Sequence, residues 1–112
     1  MIVGQAPTPT FTPCPTLTNA TIGAKPVVGA GGYNVSWSST GGCGAVTGTI
    51  TAQYSGEPAP YATYKVGSQS GTIFDRPPVR CSTVTVVYTL TLRDSSGQVV
   101  STTTSISFTP LC

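Results

Sequence analysis

The chain has 112 residues, enough for one domain, and only 7% of them are charged. It contains no histidine and three carboxyl side chains, so general acid–base catalysis is not expected. Five scattered cations and three carboxylates give a net charge of +2, which does not indicate a nucleic-acid-binding surface, and no apolar run approaches the ~18 residues of a membrane span. We therefore expect no enzyme, no cofactor, no nucleic-acid partner and no membrane span.

The first 16 residues form a proline-rich N-terminal segment, which we separate from residues 17–112. Its prolines are Pro7, Pro9, Pro13 and Pro15. Because proline has no backbone donor, we expect this segment to be extended and polyproline-like, or at most an edge strand. Its candidate anchors are Ile2, Val3 and Phe11. They would hold the segment against its own domain, or against a neighbour as a donated strand.

Alternating apolar and polar residues predict β-strands along the rest of the chain. Every even-numbered residue from Val84 to Leu92 is apolar, a period of two that is typical of strands. Glycine and proline interrupt the chain too often for helices. In chain order, the predicted strands cover residues 17–22 (with 26–28 as a candidate continuation), 33–38, 46–54, 61–66, 72–74, 83–93 and 98–108. About seven short strands predict an all-β, antiparallel, immunoglobulin-like sandwich.

Two stretches carry a resemblance to a known family. Residues 35–38, a glycine-rich loop and residues 46–51 resemble strands B and C of fibronectin type III domains, and residues 88–97 resemble the F strand and F–G turn of fibronectin type III and PKD-like domains. The resemblance covers about half of the chain and implies a core that contains Trp37 and Tyr88. It implies no ligand. The full predicted core is Val35, Trp37, Ile50, Val86, Tyr88, Leu90, Leu92, Ile106 and Phe108.

The four cysteines allow three pairings, and strand directions favour one of them. Cys14 precedes the first strand at the end of the sandwich where Cys43 follows the second, which predicts Cys14–Cys43. Folding the last hairpin about its turn at residues 94–97 brings Cys81 close to Cys112. The alternative is four free thiols, while the long spacings and the lack of histidine argue against a metal site. Disulfides indicate an oxidising compartment, or a hyperthermophile in which that rule fails.

Two sequons also favour an extracellular location. Asn19 and Asn34 each begin an Asn-x-Ser/Thr triplet and are candidate glycosylation sites, although a chain rich in serine and threonine forms such triplets readily. Asn34 alternates with Val35 and Trp37, so its side chain is expected to point outward.

The threonine-rich, charge-poor composition with paired cysteines resembles that of subunits of archaeal and bacterial surface filaments. We therefore expect an extracellular, cell-surface structural protein that self-associates into a filament or pilus-like fibre, with the N-terminal segment as donor strand. Two alternatives stay open. One is a fibronectin-like adhesion or carbohydrate-binding module of a secreted protein, in which Tyr61 and Tyr64 stack on a sugar, and the other is a virion decoration domain.

Overall fold

A computed structural model describes residues 13–109, which form seven strands in two antiparallel sheets. The strands are β1 (Thr18–Val27), β2 (Gly32–Thr40), β3 (Thr47–Tyr54), β4 (Ala62–Val66), β5 (Ser70–Asp75), β6 (Val84–Arg93) and β7 (Val99–Phe108). One sheet has the order β1-β2-β5 and the other the order β4-β3-β6-β7. The predicted all-β class and its seven antiparallel strands are confirmed. No helix occurs within residues 13–109, so none in that range is long and apolar enough to cross a membrane.

Three strands, β1, β2 and β5, are longer than the alternation pattern predicts. β1 is continuous because it pairs with β2 from Thr18 to Val27, apart from one register shift near its start. β5 reaches from Ser70 to Asp75 because β2 offers it a partner at each position, ending with Tyr33 opposite Asp75. The predicted strand 72–74 leaves Asp75 in the following loop. That prediction is wrong, since Asp75 is the last residue of β5.

The interior of the sandwich comes from the alternate residues of each strand. The odd residues of β2 and the even residues of β3 and β6 face inward, so that the two sheets bury their apolar faces against each other. The buried apolar residues are Leu17, Val35, Trp37, Val46, Ile50, Ala52, Tyr54, Val66, Val86, Tyr88, Leu90 and Leu92. Ile106 and Phe108 pack against this core but are only partly buried, because β7 lies at a sheet edge.

The predicted Cys14–Cys43 disulfide is present and ties the start of the described chain to the loop after β2. The Cα atoms of the two cysteines are 5.2 Å apart, and 29 positions separate them in the sequence. Closing a loop of this length stabilises the fold by roughly 3–4 kcal/mol in the chain-entropy model. The second predicted pair, Cys81–Cys112, includes a residue outside the described range and stays a prediction. No described cysteine is free.

Gly48 brings β3 and β6 into close contact. A Cβ atom at this position would lie 1.8 Å from the backbone oxygen of Thr91, which cannot move without breaking the β3–β6 ladder. We expect Gly48→Ala to lower the free energy of unfolding by about 1–3 kcal/mol, as overpacking does. Urea denaturation measures the change. Gly23→Ala in β1 is the matched control, since a Cβ atom there meets nothing within 4 Å, and an equal loss in both variants would contradict the steric argument.

Candidate functional site

The sandwich has four edge strands, and they differ in how they are protected from pairing with another chain. Proteins usually protect an edge with charge, proline, a bulge or short length, because it presents unpaired backbone groups. β1 carries Lys25, Pro26 and a bulge, whereas β4 and β5 have only five and six residues. β7 has ten residues, none of them charged or proline, and it pairs with β6 at every position without an irregularity. Among the described strands, β7 is the unprotected edge.

The two sheets meet along their edges between β1 and β7. These edge strands of opposite sheets lie in contact, but no backbone ladder joins them within residues 13–109. Ile22 of β1 and Ile106 of β7 face this side and are only partly buried, whereas Leu90 on the neighbouring β6 is fully buried. A strand added to β7 would therefore cover apolar surface as well as satisfy backbone groups.

An apolar groove lies at the end of the sandwich where β1 and β7 finish. Its volume is about 380 Å³, and the described residues that line it carry no charge. Its aromatic walls are Tyr33 and Phe108, whose ring centroids lie 5.5 Å apart across the two sheets. Burial raises the pKa of the Tyr33 phenol, as expected for a ring in an apolar setting. The remaining lining residues are Pro26, Val27, Gly29, Gly31, Gly32, Pro77, Pro78 and Val79.

Two polar contacts hold the loops around the apolar groove. The guanidinium of Arg76 donates to the backbone oxygen of Ala30 over 2.8 Å, which fixes the β1–β2 turn. The Tyr54 hydroxyl donates to the backbone oxygen of Pro78, which fixes the opposite wall. The side chain of Val79 remains 81% exposed. The groove is thus preformed, with a large apolar side chain held in solvent at its rim.

At the other end of the sandwich, Asp94 organises the residues where the N-terminal segment joins the domain. Its carboxylate accepts hydrogen bonds from the Cys43 amide (2.7 Å), from the amide and hydroxyl of Ser96 (3.0 and 2.8 Å), and from the amide and side chain of Gln98 (2.8 and 2.9 Å). Gln98 in turn donates to the backbone oxygen of Pro15 and accepts from the Leu17 amide. We call this end, defined by residues 13–17, 41–43 and 94–98, the junction end.

The junction end and the apolar groove lie at opposite ends of the same strands. β2 begins at the groove with Gly32 and ends at Thr40, beside the Cys43 loop. β7 begins next to Gln98 and ends at Phe108 in the groove wall. At ~3.3 Å per residue, the nine residues of β2 separate the two ends by about 26 Å.

A buried cluster of Asp75 and three tyrosines joins the two sheets. Asp75 is fully buried at the end of β5. Its carboxyl oxygens accept hydrogen bonds from the hydroxyls of Tyr88 at 2.7 Å, Tyr61 at 2.5 Å, and Tyr64. Tyr64 and Tyr88 lie on β4 and β6 of the other sheet, and Tyr61 precedes β4. The cluster therefore replaces apolar contact between the sheets with directed hydrogen bonds.

The cluster keeps its phenols protonated. Burial, followed by the hydrogen bond to Asp75, raises the pKa of Tyr64 to about 12. The same two causes raise the pKa values of Tyr61 and Tyr88 further above the ordinary value of 10. A deprotonated phenol could not donate to the carboxyl group, so the protonated form belongs to the folded state.

The candidate sugar-binding residues belong to this cluster. The rings of Tyr61 and Tyr64 are partly buried against the core, and both hydroxyls are bound to Asp75. The Tyr61 ring also packs on Tyr54 with centroids 5.0 Å apart. A sugar would have to stack on the remaining exposed parts of the rings, without their hydroxyls.

The sequons lie on the surface of the first sheet. Asn34 is exposed on the outer face of β2, between the partly buried Tyr33 and the buried Val35. Asn19 is exposed in the β1 bulge with φ 54°, and its amide donates to the Thr40 hydroxyl over 3.0 Å. Both amides are thus accessible from solvent. The predicted anchors Ile2, Val3 and Phe11 lie outside the described residues.

Sequence reasoning missed three features of this arrangement: the Asp75 cluster, the Asp94 network and the unprotected edge of β7. The first had a signal, since Ile73 and Asp75 are two residues apart and share a strand face. The second had a weaker one, because Asp94 begins a Ser-Ser-Gly turn in which aspartate typically binds backbone amides. The third depends on strand order, which no local pattern shows.

No protein-family model matches the chain, and no curated protein matches it significantly. The candidate site is therefore defined by its own geometry, namely the β7 edge, the contact between β1 and β7, and the apolar groove.

Removal of the Asp75 carboxyl group should destabilise the fold strongly. Asp75→Ala leaves one fully buried and two partly buried hydroxyl donors without their acceptor, and we expect it to lower the free energy of unfolding by about 3 kcal/mol or more. Asp75→Asn keeps one acceptor oxygen and should cost less. The control is Glu57→Ala, which removes only a surface ion pair with Arg80 (3.2 Å) and should cost about 0–1 kcal/mol. Urea denaturation measures the free energy of unfolding of the three variants. Equal losses in all three would contradict the role of the cluster.

The hydrogen bonds to Asp94 should make the stability of the fold depend on pH in the acidic range. Burial favours the neutral carboxyl, but hydrogen bonds from Cys43, Ser96 and Gln98 outweigh it and lower the pKa of Asp94 from 3.8 to about 2. Because the folded-state pKa is depressed, the stabilisation is present above pH ~4 and is lost as the pH falls through about 2. Thermal melts across this window should show a falling Tm in the parent protein and a flatter profile in Asp94→Asn. Parallel profiles would contradict the assignment.

Proposed function

We propose that the protein is an extracellular structural subunit that assembles head to tail into a filament, with the N-terminal segment of one copy added as a strand to β7 of the next. The observation that carries this proposal is the unprotected edge of β7. A ten-residue edge without charge, proline or bulge favours pairing with another strand, and a soluble protein that keeps such an edge needs something to cover it.

Residues 1–12 of the N-terminal segment have the length and the composition expected of a strand added to β7. Twelve residues precede the described range, and in extended form they reach about 40 Å, more than the ~33 Å of β7. Proline-rich segments bind aromatic-lined grooves because their extended form is partly preorganised. The apolar groove, with Tyr33 and Phe108 in its walls, offers such a surface beside the end of β7.

The positions of the two ends favour a filament over a closed dimer. The N-terminal segment joins the domain at the junction end, whereas the apolar groove lies about 26 Å away at the other end. A contact between these different surfaces is heterologous, and it repeats indefinitely unless its rotation closes a ring. The same geometry leaves each copy with one donated and one accepted strand.

The compartment and fold type in this proposal rest on two further observations. The Cys14–Cys43 disulfide is typical of oxidising, extracellular environments. The strand order β1-β2-β5 and β4-β3-β6-β7 supports an immunoglobulin-like interpretation, because it follows from the immunoglobulin arrangement when the fourth strand pairs with the third instead of the fifth. We include Cys81–Cys112 and glycans at Asn19 and Asn34 in the proposal.

Deletion of residues 1–12 should abolish assembly and leave the domain folded. The truncated chain keeps Cys14 and every described strand, so its β-sheet circular dichroism and cooperative melting should persist. Electron microscopy and light scattering should show fibres for the full chain and monomers for the truncated one. A synthetic peptide of residues 1–12 should bind the truncated chain and block fibre growth of the full chain. Fibres of unchanged length after the deletion would refute the donor role.

A further inference from the structure

We propose that Asn34 carries an N-linked glycan whose first sugar packs on the ring of Phe74, so that the glycan becomes part of the outer face of the sheet β1-β2-β5. This inference rests on the extracellular location in the proposed function, and it specifies one modification site and its contact. The sugar comes from a glycosyl phosphate donor. The Asn34 amide nitrogen bonds to the anomeric carbon, the bond from that carbon to phosphate breaks, and the proton lost from nitrogen leaves with the phosphate.

Asn34 lies in the middle of the outer face of this sheet. It is exposed on β2, the central strand, between the edge strands β1 and β5. Its partners at the same register are Lys25 on β1 and Phe74 on β5. Residues directly opposite each other in an antiparallel pair share a face, with Cβ atoms about 4.5–5.5 Å apart. A sugar on the Asn34 amide therefore starts beside the Phe74 ring.

Phe74 offers an aromatic surface that the domain itself leaves uncovered. The residue is 42% exposed, and it is the one exposed aromatic residue within residues 13–109. The far edge of its ring lies over Gly32, where a Cβ atom would be 2.5 Å from the Phe74 Cζ atom. The ring thus leans along the sheet and presents apolar surface to solvent. Because the face of an aromatic ring is electronegative, it attracts the C–H groups on the apolar side of a sugar.

Two cations flank the position of the sugar. The guanidinium carbon of Arg76 lies 5.9 Å from the centre of the Phe74 ring, and the Arg76 side chain is fixed by its hydrogen bond to the backbone oxygen of Ala30. This distance is at the limit of a cation–π contact, so part of the ring stays accessible. Lys25 is exposed on the opposite side of Asn34. Both cations can donate hydrogen bonds to the hydroxyl oxygens of a sugar that lies on the ring.

The Asn34 side chain is also unobstructed toward β1. A hollow of about 410 Å³ adjoins it, because Gly23 has no side chain and a Cβ atom there would meet nothing within 4 Å. The Asn34 carboxamide forms no side-chain hydrogen bond within the part of the chain that the structure describes. Its nitrogen is therefore accessible to a glycosyl donor. The hollow is lined by Gly23, Ala24, Lys25, Asn34, Ser36 and Thr72.

The other sequon has no comparable neighbour. Asn19 lies in the β1 bulge between Thr18 and Thr21, without a Cα partner on β2. Its amide donates to the Thr40 hydroxyl over 3.0 Å, so the side chain points to a small polar residue and not to a ring. A glycan at Asn19 would extend into solvent without an aromatic contact, which makes Asn19 the matched control for Asn34.

A glycan packed on Phe74 would also affect how copies of the chain associate. Phe74 lies on β5, an edge strand, so a sugar on its ring hinders another chain from approaching that edge. It also covers the apolar surface of Phe74 against nonspecific contact. The edge of β7 belongs to the other sheet and stays accessible. The glycan would therefore direct association toward β7.

Removal of the glycan or the ring tests this inference in the full-length chain, secreted from a host that glycosylates Asn-x-Ser/Thr. Peptide mass spectrometry should find a glycan at Asn34. Asn34→Gln should lower the Tm by roughly 2–6 °C, as loss of a cross-strand contact does in a domain of this size, whereas Asn19→Gln should melt like the parent. In Phe74→Leu, the further change Asn34→Gln should leave the Tm unchanged, and Phe74→Tyr should behave like the parent.

NMR spectroscopy supplies a direct measure of the contact. Protons of the first sugar should be shifted upfield by the ring current of Phe74 in the parent and should lose that shift in Phe74→Leu. An unmodified Asn34, or sugar protons without a ring-current shift in the parent, would overturn the inference. An equal fall in Tm from Asn34→Gln in the parent and in Phe74→Leu would do the same.

These outcomes are distinguishable from a failure of strand donation. If deletion of residues 1–12 abolishes fibres while Asn34 is unmodified, the glycan contact is wrong and donation stands. If fibres persist after the deletion while the sugar packs on Phe74, donation is wrong and the glycan contact stands.

Discussion

The burial of the Asp75 carboxyl group between the two sheets is the constraint on which the rest of this structure depends. Apolar packing alone holds sheets together without fixing their relative position, because it has no direction. Three tyrosine hydroxyls directed at one carboxyl group supply that direction, and each must be in place because an unpaired buried polar group is costly. Asp75 also lies opposite Tyr33 in the β2–β5 ladder, so the cluster positions a wall of the apolar groove.

The two sides of the sandwich differ in consequence. On the β4–β5 side, Asp75 and the tyrosines link the short edge strands, and Ala62 and Ile73 are only partly buried there. On the β1–β7 side, no such cluster joins the edges within the described residues, and Ile22 and Ile106 stay partly exposed. The β1–β7 side is thus held by apolar contact and the β4–β5 side by hydrogen bonds, and it is the β1–β7 side that meets the apolar groove. Association through it would use backbone pairing and apolar contact rather than charge.

Much of this fold could be predicted from local patterns, because alternation directly reflects which side of a strand is buried. The strand from Val84 to Arg93 illustrates this, and the Cys14–Cys43 pair followed from the alternation of strand directions. Asp75 could not be placed in the same way, because an acid before Arg76 and two prolines is typical of a turn. Its burial depends on β2 extending the β5 ladder to that residue. The identity of the edge strands likewise depends on pairings between distant parts of the chain, such as β3 with β6.

The position of the Cys14–Cys43 disulfide has a mechanical consequence. It closes a covalent loop around β1 and β2 immediately after the point where the N-terminal segment leaves the domain. A pulling force applied through that segment would pass from Cys14 across the sulfur bridge to Cys43, so the 28 residues between them would bear no tension. A load applied through that segment could not peel β1 from β2, so this pair of strands would stay together while the chain after Cys43 is stretched.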